Sequence, residues 1–277
     1  MKTIILSIAI IGYSFSTIAQ DEQPPIDIYL GTAANFILFT GAGAIANTGI
    51  SDITGDVGSH AGAIAGFGLP TVLNGTIENT NSTTAQALLD LAAACVQLQN
   101  IPATITDHSG IFGSIEGETI YPGVYSNAAA VSITGTLTLD AQGDPDAMFI
   151  FKITGALNSV AGATVLLANG ASSENVYWIA VGALALGANT TMKGTAIAYP
   201  GAVSLGAGSS IDGSLYSTVG AIAVDSTEGT KPTYNTPFGC DINAYLFQDN
   251  DVYAIDLASG SSYEIATDIT TGNINAT

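Results

Sequence analysis

Arginine is missing from this chain of 277 residues, and four lysines stand against 23 acidic residues, for a net charge of −19. Nucleic acids and anionic membranes bind through clustered Lys and Arg, so neither suits such a surface as a partner. Charge of either sign is scarce, at 10% of the residues. The exposed surface must then be built largely from Ala, Gly, Ser, Thr and Asn. Cysteine is nearly absent: Cys95 falls in a helical stretch and Cys240 lies beyond the repeats. No CxxC pair or Cys/His cluster marks a metal site. An exported protein can pair two cysteines, but we expect Cys95 to be a buried, inert thiol. Long apolar runs are missing as well. The N-terminal one, Ile4 to Ile11, follows Lys2 and precedes Thr17-Ile18-Ala19. It is too short to span a bilayer and has the layout of a secretory signal peptide over residues 1–19.

Residues for catalysis are thin on the ground. The two histidines, His60 and His108, sit in loop sequence with no nucleophile motif beside them. Either would need an orienting carboxylate to act as acid or base, and we expect both to be solvated. The acids are scattered rather than paired. Asp144-Pro145-Asp146 fits an ordinary turn, and Asp249-Asn250-Asp251 lacks the Gly and distal Glu of a calcium loop. No catalytic residue, metal site or cofactor is expected, and the chain is not expected to be an enzyme.

What the sequence has is repetition. GALALGANTTMKGTAIAYP from Gly182, GAVSLGAGSSIDGSLYSTV from Gly201 and the opening GAIAVDS from Gly220 recur at 19 residues. Longer copies start at Gly155 and Ala129, with extra loops Ala171–Asn175 and Asp144–Asp146, and a weaker one starts at Gly43. A period near 20 residues with Gly at fixed corners is the signature of a stacked solenoid. Between the Gly43 copy and the rest, residues 82–99 carry Ala85, Leu88, Leu89, Ala92, Val96 and Leu98 at mostly helical spacing. Asn81 or Ser82 can cap this helix, and Pro102 prevents its continuation.

Alternate strand residues point to opposite sides. Placing Leu184, Leu186, Met192, Val203, Leu205 and Ile211 inward sends Ile197 and Tyr216 outward, where the helix must cover them. On the first strand of each coil the outward residues are small: Ala183 and Ala185, Ala202 and Ser204, Ala221 and Ala223. On the second strand they include Thr191 and Ser210. Stacked strands lie about 4.8 Å apart, so the small residues form rigid rows that can order water and fit an ordered solid. Tight packing and economical turns account for Ala, Gly and Ser at these positions equally well.

LGTAANFILFTGAGAIANTGISDITGDVG from Leu30, YPGVY at Tyr121 to Tyr125 and ALGANTTMKGTAIAY from Ala185 resemble the microbial ice-binding (antifreeze) protein family. The resemblance runs from Leu30 to Ser226, helix included. It implies a mainly β fold, a discontinuous three-faced (triangular) β-solenoid with one long α-helix packed along one face. It also implies a secreted protein whose partner is an ice crystal surface. The family's strongest binders carry Thr-Ala/Gly-X-Thr/Asn on the first strand. The matching segments here are Ala129-Ala130-Val131-Ser132, Gly155-Ala156-Leu157-Asn158, Gly182-Ala183-Leu184-Ala185, Gly201-Ala202-Val203-Ser204 and Gly220-Ala221-Ile222-Ala223. The leading Thr is absent each time, which implies moderate activity. The resemblance assigns ice contact to Ala44, Ala46, Ala130, Ser132, Ala156, Asn158, Ala183, Ala185, Ala202, Ser204, Ala221 and Ala223. A matrix or adhesion solenoid without ice affinity is the alternative, and a carbohydrate-active β-helix enzyme fits less well.

The expected organisation is a signal peptide at 1–19, an N-terminal extension at 20–29 and the solenoid at 30–226. A polar linker at 227–240 and a partial β-rich module at 241–277 follow. Alternation through Val252–Leu257 and the Ser-Gly-Ser turn suit a hairpin there. The protein is expected to be monomeric, extracellular or held at the cell surface, without membrane insertion.

Overall fold

Each repeat folds into a coil of three short strands, and the coils stack in parallel register. The computed structural model describes residues 28–114 and 116–232, with the backbone of three further strands at Ile242–Gln248, Asp251–Asp256 and Ser262–Ala266. The expected signal peptide and Cys240 lie outside the described residues.

The first strands of the coils form an eight-stranded parallel sheet, which we call the first face. In spatial order it runs Ile64–Ala65, Ile45–Thr48, Ile222–Asp225, Val203–Leu205, Leu184–Leu186, Leu157–Ser159, Val131–Ile133 and Ile111–Phe112. The second and third faces share a 14-stranded sheet, because Thr191–Ala198 and Ser210–Ser217 run continuously around the corner between them. The spatial order departs from the chain order. The coil begun by Ile222–Asp225 and Glu228–Thr230 receives its third side from Phe36–Thr40, which pairs with Ser210–Ser217. Two N-terminal coils then continue the stack beyond it. The solenoid is thus closed by both ends of its own sequence.

The interior is filled by the inward residues of all three faces, among them Leu184, Leu186, Met192, Val203, Leu205 and Ile211, as the alternation requires. At one end an aromatic stack is built in register from Tyr125, Phe151 and Trp178, the last two with ring centroids 3.7 Å apart. The third face carries Ile197 and Tyr216 outward, and the helix Ser82–Asn100 covers them in a second buried cluster. Asn81 caps the helix: its side chain accepts from Thr84 N–H while the Thr84 hydroxyl accepts from Asn81 N–H.

Three expectations need correction. The helix buries Thr84, Ala87, Leu91, Ala94, Cys95 and Leu98, whereas Leu89 and Val96 are exposed. The buried stripe alternates small residues (Ala87, Ala94, Cys95) with Leu91 and Leu98, so the helix approaches the sheet closely while Leu89 and Val96 turn outward. The solenoid does not end at Ser226. Thr227 is buried, and Glu228–Thr230 is a strand between Ser210–Asp212 and Asp52–Thr54, so residues 227–230 are no linker. The N-terminal extension stops short of Ile28, which is buried against the helix cluster. Farther on, the three strands from Ile242 to Ala266 pair antiparallel with one another.

Candidate functional site

The first face brings all twelve predicted residues together in two adjacent columns. Strand register and ladder hydrogen bonds align Ala44, Ala221, Ala202, Ala183, Ala156 and Ala130 in one of them. Ala46, Ala223, Ser204, Ala185, Asn158 and Ser132 form the other. The sequence argument missed the next level, where Ala63 and Ala65 extend both columns. That coil lies outside the regular period, so spacing gave no sign of it. At the opposite end Ile111, 57% exposed, terminates the second column.

Seven levels at about 4.8 Å make the alanine column about 29 Å long, with its neighbour about 6.7 Å away along the strands. The side chains are a methyl, a hydroxymethyl or a carboxamide, and most are exposed. Alanine has no rotamer to lose on contact. The columns carry no charge; Asp225, opposite Thr48, stands at their margin.

The second face differs. Its outward rows include Asp52, Lys193, Asp212 and Glu228, and Lys193 pairs with Asp212 at 3.1 Å. These residues rim a depression of about 630 Å³ beside Gly229. A face expected to be Ser/Thr is therefore charged and uneven. Lys152 is engaged elsewhere: it donates to the carbonyls of Gln99 and Ile101 at the helix C-terminus, where a cation is favoured.

The backbone explains the missing threonines. Gly43, Gly201 and Gly220 lie at the corner leading into the first face, stacked on one another. A Cβ on Gly201 would lie 2.3 Å from the Gly182 carbonyl oxygen, and one on Gly220 2.4 Å from that of Gly201. At Gly43 the distance to the Gly220 carbonyl oxygen is 2.1 Å. At these three levels the position that holds Thr in the strongest binders has no room for a side chain; at the level of Ala129 it holds a methyl.

Hydroxyls are few on the face and line its edges instead. Along the glycine corner, buried Thr40 donates to Gly220 O at 2.7 Å and accepts from Gly43 N–H at 3.1 Å. Ser59 donates to Gly43 O and accepts from Gly62 N–H, and Ser217 does the same between Gly201 O and Gly220 N–H. Along the opposite edge, Ser209 and Thr190 donate to Gly187 O, and Ser51 donates to Asn47 and accepts from Thr227 N–H. Each corner hydroxyl pairs one glycine three residues away with another from the adjoining coil, and no local pattern announces the second partner.

The histidines lie off this face. His108 is more than a solvated loop residue: it stacks on Phe112 at 4.0 Å and its Nε2 is 2.8 Å from Glu118. It closes one end of the aromatic stack. His60 is half-buried, 3.5 Å from the Thr84 hydroxyl. No group of three His, Cys, Asp or Glu able to hold a metal occurs among the described residues. No described helix is long and apolar enough to cross a membrane.

Comparison with known proteins agrees with this architecture. The profile of the ice-binding-like family matches residues 39–230. An ice-binding protein of Nostoc sp. is 34% identical over 185 residues, covering 67% of either chain. The crystal structure of an ice-binding protein from an Antarctic Flavobacteriaceae bacterium superposes with a TM-score of 0.71 at 41% identity, over 75% of this chain and 48% of that one. That of the Antarctic ascomycete Antarctomyces psychrotrophicus gives 0.70 at 31% identity, over 75% of this chain and 99% of that one. The chain belongs to the ice-binding-like family. It spans about half the length of the Flavobacteriaceae chain and nearly all of the fungal one.

Proposed function

We propose that this protein is an ice-binding protein that adsorbs to ice through the first face and inhibits ice growth or recrystallisation. The observation that carries this assignment is the pair of in-register columns, seven levels long and free of charge, beside a second face that is charged and uneven. An exposed patch of short, mainly apolar side chains marks an interaction surface. Its rows are too shallow to grip a flexible polymer and regular enough to hold water in fixed positions. Methyls order the adjoining water, Ser204, Asn158 and Ser132 anchor it by hydrogen bonds, and the layer merges with the crystal. Ice between adsorbed molecules must then grow as a curved front, which lowers its freezing point. The contact set is the twelve predicted residues with Ala63 and Ala65. No covalent step is involved.

The protein acts outside the cell as a monomer, with residues 1–19 as its signal peptide. Residues 233–240 link the solenoid to a C-terminal β module. Thermal hysteresis and recrystallisation assays on the full mature chain test the assignment. Faceted crystals and a freezing point held below the melting point are expected at micromolar protein. Unshaped crystals would overturn it and leave the matrix or adhesion solenoid as the better account.

A further inference from the structure

The alanine column crosses a break in the chain between Ala221 and Ala44, where the C-terminal coil meets the N-terminal one. Ala221 leads into the stretch Ile222–Thr230 and Ala44 follows the stretch Phe36–Thr40. The two corners therefore stack as separate pieces of chain, the path around the coil being interrupted between Thr230 and Phe36. Ser217, Thr40 and Ser59 form a row of fully buried hydroxyls centred on that junction, in register with one another. Each hydroxyl bonds the glycine amide of its own corner and the glycine carbonyl of the adjoining coil. Away from the junction the row continues as Ala198 and Ala180 on one side and as Asn79 on the other, none of which has a hydroxyl to offer.

We infer that Thr40, with Ser217 and Ser59, is a positioning residue of the contact face, fixing the height and spacing of the Gly-Ala corners across the chain break. The inference rests on the ice-binding assignment of the first face. A flat rigid partner does not adjust to a displaced row, so a small step between Ala221 and Ala44 would divide one long surface into two short ones. These residues never touch ice and act only through the alanines they align. Ser214 supplies the internal control. Its buried hydroxyl joins the same two strands, donating to Phe36 O at 3.0 Å, but lies away from the glycine corner.

Thermal hysteresis and melting temperature are to be measured on the full mature chain and on Thr40→Val, Thr40→Ser and Ser214→Ala. Thr40→Val should lower thermal hysteresis about threefold or more, because a contact site tolerates only sub-ångström displacement. Thr40→Ser should recover most of the activity, and Ser214→Ala should keep it despite a comparable drop in melting temperature. Equal activity in Thr40→Val and wild type would overturn the inference, as would equal losses in Thr40→Val and Ser214→Ala. If Thr40→Val does not fold, Ser59→Ala carries the same comparison at the next level. A wild-type chain without thermal hysteresis would overturn the ice assignment, and this role with it.

Discussion

The hydroxyl of Thr40 donates to the carbonyl of Gly220 at 2.7 Å, joining residues 180 positions apart. That one contact locates the closure of the fold. The coil that starts at Gly220 ends its second strand at Thr230 and has no third strand of its own, and Phe36–Thr40 occupies that place. The first face is continuous because both ends of the solenoid sequence meet beneath it.

Closure makes truncation informative. A chain ending at Ser226 loses Glu228–Thr230, the strand between Ser210–Asp212 and Asp52–Thr54. Its melting temperature should fall by about 5 °C or more relative to a chain ending at Pro232, since a few kcal/mol moves a domain of this size that far. Thermal unfolding of the two chains followed by circular dichroism measures the difference.

Restoring the family's leading threonine should not improve this protein. Gly201→Thr puts a Cβ where the Gly182 carbonyl oxygen stands 2.3 Å away, so two coils must separate. Overpacking of this kind costs about 1–3 kcal/mol. Denaturant unfolding should show that loss, and thermal hysteresis should fall rather than rise.

Cys95 gives a pH signature. Burial pushes its thiol from 9.0 to about 12. The folded state therefore favours the protonated thiol. That contribution is fully present below pH 9.0 and is lost as pH rises toward about 12. At pH 8 the native thiolate is about one part in ten thousand, so iodoacetamide should label Cys95 only on unfolding. Peptide mass spectrometry with and without denaturant checks this; rapid native labelling would mean that the helix does not cover the thiol.

Lys152 holds the helix end to the solenoid through the carbonyls of Gln99 and Ile101. Lys152→Met keeps the aliphatic stem and removes both hydrogen bonds. Stability should fall by about 1.5–3 kcal/mol, the range for bonds to a charged donor, with little change in ice activity. Urea unfolding and thermal hysteresis on the same sample separate these effects.

Much of the architecture was legible because identical corners recur: Gly182, Gly201 and Gly220 repeat wherever coil stacks on coil, and Leu184, Val203 and Ile222 point inward in step. The helix was legible in extent but not in orientation. Its buried stripe combines Ala87, Leu91, Ala94 and Cys95 with the expected Leu98, while hydropathy favoured Leu89 and Val96. The coil with Ala63 and Ala65 was missed because its spacing is irregular, and the edge hydroxyls because Thr40 and Gly220 become neighbours only in three dimensions. The sequence located the rows of the first face, and long-range pairing determined what holds them level.

The central claim is that ice meets the first face, and tyrosine placed on either exposed face tests it most directly. Ala202→Tyr and Ala221→Tyr put a ring in the middle of the alanine column, whereas Ser210→Tyr puts one on the second face. Thermal hysteresis of the three variants, with circular dichroism to verify folding, is the measurement. Loss of activity in Ala202→Tyr and Ala221→Tyr with activity kept in Ser210→Tyr is the expected result. Activity lost in Ser210→Tyr and kept in the alanine variants would contradict it and move the ice contact to the second face.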